Sequence, residues 1–376
     1  MMRKTGMDRT MNIKTTFIIL AITAIVASCT STGESGISSL ATFDSAYAQA
    51  DKARKRASKA GVEWRDTSKL LADSKKANAS GDRETAMNLV REAKLQSDLA
   101  ISQVKENREF LEKVPYYNAN STPEEDLENT QGFFRWKFPD LTNEEFSNGF
   151  YALDENLREN WLAIEEFPPY FPAIDEGETL WATPFNNGNY YGNCFGYAGV
   201  ADKYPRWDRK IGKVITLEMD INGCRVRNGE PPFDYGKSTE LMAVAAYMAY
   251  KSRGKQINVE IPEDDPRALE AYNEGKEFFY SRRGQLNMAC YQCHFDTAGK
   301  WLRTNMLGTA FGQTSHFPVY RSKWGSIGGL HRRYKGCNKQ VRAKPFDLQS
   351  ETYRNLEYFH TYMSNGIVMN GPGARF

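Results

Sequence analysis

The chain has 376 residues, 40% of them hydrophobic and 13% aromatic, which is enough to build packed cores and excludes wholesale disorder. Lys and Arg number 49 against 47 Asp and Glu, and a formal charge of +2 excludes the net basic footprint of general nucleic-acid binding, so no nucleic-acid partner is expected. Six Cys are too few for a small disulfide scaffold, and four His too few for several haems with paired His ligands.

The first residues read as a targeting segment. Arg3, Lys4, Arg9 and Lys14 precede the apolar run Phe17–Val26, which is too short to span a bilayer comfortably. The run ends in Val26-Ala27-Ser28-Cys29, which looks like a bacterial lipobox. That reading makes 1–28 a lipoprotein signal peptide and Cys29 an acylated first residue, in the periplasm of a Gram-negative bacterium. Thr30 rather than Asp after the Cys favours anchoring in the inner leaflet of the outer membrane over the inner membrane. Cleavage near Ala27 that leaves Cys29 as a thiol is the alternative.

Residues 38–114 are rich in Ala, Lys, Glu, Asp, Ser and Gln. Ala86, Leu89, Val90, Ala93 and further apolar positions recur at helical spacing. Asp66-Thr67 and Ser80-Gly81-Asp82 are helix-start signals. The stretch reads as an α-helical hairpin, or as three helices with a long last one. Its expected role is a solvated, lipid-anchored spacer over 29–114, with a docking surface as the rival. Residues 115–124, bounded by Pro115 and Pro123, read as a linker.

Beyond it the sequence repeats in outline. Gly223-Cys224 with Pro232-Phe233-Asp234 matches Gly336-Cys337 with Pro345-Phe346-Asp347 at the same spacing. A predicted helix follows each, opening at Ser238 and at Ser350. Upstream, Glu176-Gly177 matches Glu274-Gly275, and Cys194 matches Cys293. Three matches in one order predict two copies of one domain, over 125–258 and 259–376.

Cys290-Tyr-Gln-Cys293-His294 is a C-x-x-C-H motif. Two thiols three apart can add to the vinyl groups of one haem, and the adjacent imidazole reaches its iron. A redox dithiol would not need His294, and a zinc site would need more ligands nearby. One motif predicts one covalently bound haem c. The first copy has only Cys194 at the matching place, so it should hold none. Its Cys194 and Cys224 would then lie close together and pair as a disulfide in an oxidising compartment.

For the far side of the iron, Met306, Met363 and Met369 are available, although each could simply pack a core. Cys337 is the sharper candidate, because a thiolate is a strong haem ligand and this one would lie among the cations of His331-Arg-Arg-Tyr-Lys-Gly-Cys-Asn-Lys339. In a helix, Arg333 and Cys337 share one face, and an Arg fork there can hold an anion beside the sulfur. Lys335 and Lys339 would add charge. The competing readings are a solvated or partner-facing basic patch and an inert buried thiol.

The Leu330-His-Arg-Arg-x-x-Gly-Cys337 stretch, with C-x-x-C-H upstream and Tyr320-Arg-Ser-Lys-Trp324 between them, resembles the SoxA family over about residues 125–376. The resemblance implies a mainly α protein of two tandem cytochrome c-like domains, the first degenerate and haem-less, here preceded by the helical segment. It implies pairing with a small monohaem X-type subunit and oxidative joining of thiosulfate to the swinging-arm cysteine of a sulfur-carrier protein. It also implies that Cys337 ligates the haem and acts as a persulfide or thiolate, and that Arg333 binds substrate. The lipobox and residues 38–114 depart from the family pattern. A plain electron-transfer cytochrome with Cys337 only as a ligand is the alternative.

Overall fold

The computed structural model describes residues 42–375; the signal segment and Cys29 lie outside them. The described part is mainly helical and begins with three helices, α1 (Phe43–Lys59), α2 (Thr67–Ala79) and α3 (Arg83–Leu111). Asp82 caps α3 by accepting from the Thr85 amide at 3.0 Å, as the Ser-Gly-Asp signal requires. Small residues at helical spacing, including Ala50, Ala53, Ala57, Ala86, Ala93 and Ala100, are buried and let the three helices approach closely.

This bundle is not free of the rest of the chain. Along α3, Gln103 Nε2 donates to Gly284 O at 3.1 Å, and Asn107 exchanges two hydrogen bonds with the Arg282 backbone. From the turn after α1, Glu63 pairs with Lys344 at 2.8 Å, and the Arg65 amide donates to Arg342 O at 3.0 Å. Gln103, Asn107 and Glu63 are buried in this contact with their partners in place. The expectation of a solvated spacer overlooked them because Gln and Asn on a helix ordinarily signal a wetted face. Residues 115–122 lack helix and strand but are packed too, with Tyr116 against Tyr291 and Phe295.

The remaining helices are α4 (Pro123–Lys137), α5 (Asn143–Phe146), α6 (Glu155–Glu166), α7 (Phe171–Ala182), α8 (Tyr191–Phe195), α9 (Leu217–Arg227), α10 (Thr239–Lys251), α11 (Pro266–Tyr280), α12 (Leu330–Gln340) and α13 (Glu351–Tyr362). Short strands complete the fold. β1 (Arg206–Asp208) pairs with β2 (Lys213–Ile215), and β3 (Trp301–Leu302) with β4 (Asn305–Met306). β5 (Val319–Arg321) lies between antiparallel β6 (Ser326–Gly328) and parallel β7 (Gly373–Arg375).

The sequence repeat is visible in these elements. α7 packs on α10, and α11 on α13. At each crossing a glycine lets backbones touch: a β-carbon at Gly177 would strike the Ala243 carbonyl, and one at Gly275 the Asn355 carbonyl. Both hairpins, β1–β2 and β5–β6, run directly into the helix that carries the matched cysteine. The same number of residues separates Arg206 from Val319, Leu217 from Leu330 and Cys224 from Cys337. Ser238 and Ser350 cap α10 and α13.

α4 crosses the expected copy boundary. Its Asp126 forms a buried ion pair at 2.6 Å with Lys276 of α11, and Tyr272 donates to the same carboxylate at 3.0 Å. Desolvation of two charges is offset here by full pairing, since Ser121 and the Asn118 carbonyl take the remaining ammonium protons.

Candidate functional site

α11 leads through a turn into Cys290–His294. Gln292–Asp296 form one π-helical turn, closed by the Thr297 amide on Gln292 O. Phe295 anchors this turn in an aromatic core with Phe133, Phe134 and Phe279. The His294 ring is set by its Nδ1, 2.9 Å from Gly308 O. A carbonyl can only accept, so Nδ1 carries the proton and Nε2 keeps a lone pair for a metal. Burial pushes this imidazole down to about 4, against the Gly308 contact and with help from the Arg333 charge, so it is neutral and ready to ligate.

α12 supplies the opposing group. His331 accepts from the Gln349 amide at 3.0 Å and faces Glu357 at 3.0 Å, which fastens the start of the helix to α13. Asn338 donates to Tyr353 at 3.1 Å and fastens its end. Between these anchors lie Arg333 and Cys337, one turn apart on one helix. The thiols of Cys290, Cys293 and Cys337 are within electrostatic reach of one another, and Arg333 is within reach of Cys293 and His294. Burial pushes the Cys290 thiol up to about 12 and raises Cys293 as well.

Cys293, His294, Arg333, Lys335 and Lys339 line one open cavity of about 1930 Å³. The site thus gathers the sequence candidates: two adjacent thiols, a neutral imidazole with one bare nitrogen, and a third sulfur on the neighbouring helix. That donor set fits a haem c. Of the alternative Met ligands, Met363 and Met369 are buried in the core, whereas Met306 lines the cavity. In the first half Cys194 and Cys224 form the expected disulfide, with a Cα–Cα separation of 5.9 Å.

Two further cavity residues were given no role from the sequence: Arg321 on β5, within the Tyr320–Trp324 stretch, and Arg375 on β7. Arg375 is buried, its guanidinium 3.0 Å from His316 Nε2 and over the rings of Phe150 and Tyr151.

Comparison with known proteins agrees with this geometry. The family model described as SoxA/TsdA, cytochrome c domain, matches residues 176–257, the half that lacks the C-x-x-C-H motif. The chain is 55% identical over 256 residues to the L-cysteine S-thiosulfotransferase subunit SoxA of Allochromatium vinosum, across 68% of this chain and 91% of that protein. It is 49% identical over 259 residues to the subunit of the same name from Chlorobaculum tepidum, across 69% and 90%. The crystal structure of SoxXA from P. pantotrophus superimposes with a TM-score of 0.53 at 29% identity, covering 58% of this chain and 84% of that one. A C-x-x-C-H turn facing a cysteine helix, on a scaffold this close to those relatives, places the chain in the SoxA family.

Proposed function

We propose that the protein joins thiosulfate oxidatively to a cysteine thiol of a sulfur-carrier protein. The terminal sulfur of thiosulfate bonds to the carrier sulfur, the S–H bond of the carrier breaks, and one proton and two electrons leave. The observation that carries this reading is the placement of Arg333 and Cys337 one turn apart on α12, with Cys337 in electrostatic reach of Cys290 and Cys293, and Arg333 in the cavity that Cys293 and His294 line. The name L-cysteine S-thiosulfotransferase, borne by the relatives, supports it.

Cys290 and Cys293 would hold one haem c by thioether bonds, with His294 Nε2 and the Cys337 sulfur available to its iron; when bound, it supplies a one-electron acceptor beside the reacting sulfur. The residues of the chain do the rest. Arg333 orients the thiosulfate dianion by charge-assisted hydrogen bonds, and Lys335 and Lys339 at the rim draw it in. The terminal sulfur of thiosulfate bonds to the Cys337 sulfur, present as thiolate or persulfide, as the two electrons leave; the carrier thiolate then attacks that terminal sulfur, breaking its bond to the Cys337 sulfur, which departs as the anion. Because two electrons leave and one haem offers a single place at a time, a second redox centre is needed. A small monohaem subunit fills that need, consistent with the SoxXA complex among the structural relatives. An exported protein held by lipid at Cys29 fits this setting, and among the described residues no helix is long and apolar enough to cross a membrane.

The test is to mix the loaded complex with thiosulfate and a carrier that keeps or lacks its cysteine. A thiosulfonate mass gain on the carrier, with haem reduction dependent on the carrier thiol, is expected. Reduction that ignores the carrier thiol would instead make the protein a plain electron carrier.

A further inference from the structure

The internal repeat assigns a partner to Arg333. In the first half, Asp208 on β1 and Asp220 on α9 occupy the positions that Arg321 on β5 and Arg333 on α12 occupy in the second. The two carboxylates are held together by a cation between them: Arg206 lies 3.4 Å from Asp208 and 2.8 Å from Asp220. The second half reverses the sign at both carboxylate positions and removes the charge between them. Two guanidiniums stand where the carboxylates stood, and the bridging Arg206 is replaced by buried Val319. A scaffold that brings two anions around one cation therefore brings two cations around a space suited to one anion.

The charges in the second half are unbalanced. Arg321 and Arg375 are register partners in the parallel β5–β7 ladder, which places two like charges side by side; Arg375 is held by His316 and the rings of Phe150 and Tyr151. Arg332, next in sequence to Arg333, is engaged elsewhere, donating to Ser326 at 3.0 Å and stacked over Trp324. Among the described residues no carboxylate pairs with Arg321 or Arg333, and both line the cavity that holds His294. Burial pushes the Arg321 guanidinium down to about 10, with Arg333 and Arg375 adding to the effect and the Cys337 sulfur opposing it.

We propose that Arg321 and Arg333 form a two-pronged clamp that grips the oxygens of a sulfur oxoanion with two negative charges. Guanidinium forks prefer oxygen, so a clamp on the sulfonate end leaves the terminal sulfur of thiosulfate unclaimed for the Cys337 side. Charge and fork geometry would thereby select dianions of tetrahedral shape over neutral thiols and monoanions. The choice of thiosulfate as that dianion rests on the function proposed above; the clamp itself does not.

The experiment compares Arg321→Met, Arg321→Lys and Arg321→Asp in the haem-loaded complex, using thiosulfate as substrate and sulfate as an unreactive dianion. Arg321→Met should raise the KM for thiosulfate and the sulfate inhibition constant together, by tenfold or more, with a smaller change in kcat. Arg321→Lys should restore part of both. Arg321→Asp should set a carboxylate beside Arg333 and neutralise it, which would raise the melting temperature while abolishing dianion binding. Unchanged KM and sulfate inhibition in Arg321→Met, alongside losses in Arg333→Met, would overturn the clamp. Sulfate binding by equilibrium dialysis separates the two proposals. If it falls in Arg321→Met although thiosulfate proves not to be the substrate, the clamp stands and the assigned reaction fails.

Discussion

At the scale of single residues the chemistry rests on few atoms. Cys290, Cys293 and His294 stood out in the sequence by a spacing that suits covalent haem attachment, and α12 presents Arg333 and Cys337 at the helical interval expected. The Cys194–Cys224 pairing was legible through the repeat and is present. Arg321 lies in the Tyr320–Trp324 stretch that marks the resemblance, yet nothing in that stretch gave it a role at the site. Its signal was the sign change from Asp208, which means something only once β1 and β5 are known to correspond. Replacing Cys194 and Cys224 together by Ser removes a cross-link over 30 residues and should cost about 2–4 kcal/mol in denaturant unfolding. The haem spectrum should stay as it was, since the disulfide belongs to the other half.

Among the elements, helix positions followed from capping residues and apolar spacing. What sequence could not supply was which helix leans on which. α4 reads as the opening of the first copy, yet its Asp126 is committed to Lys276 on α11. Lys276→Met should leave that carboxylate buried and unpaired, at a cost of about 3–5 kcal/mol in thermal or denaturant unfolding. A loss below about 1 kcal/mol would show that water reaches the pair. The glycine matches marked closeness without naming the partner. Gly275→Ala places a β-carbon against the Asn355 carbonyl, so α11 and α13 must separate, and a loss of at least about 1–3 kcal/mol is expected in the same measurement.

For the whole molecule, the N-terminal bundle is joined to the loops on either side of the site. Residues 282–287 precede Cys290 and residues 339–344 follow Cys337, and the bundle holds both. The three helices were legible in the sequence; their docking was not, because it is made by polar side chains. The contact should respond to acid. Burial raises the Glu63 carboxyl, but Lys344 and the hydroxyls of Ser68 and Ser58 outweigh it and hold the group below its ordinary 4.5; Arg54 lies 3.6 Å away. A depressed carboxyl contributes stability that is present above 4.5 and disappears as pH falls below it through the folded value. Hydrogen-exchange protection factors in α1–α3 should therefore fall under acid before those in α11 and α13, and Glu63→Gln should weaken that dependence.

The central claim is that the Cys337 sulfur handles the substrate sulfur and is more than an iron ligand. Cys337→Ala, assayed as the haem-loaded complex for conjugation of thiosulfate to the carrier cysteine, tests this most directly. The expected result is loss of conjugation with one covalently attached haem retained, as read by intact mass; conjugation at the wild-type rate in that variant would contradict it.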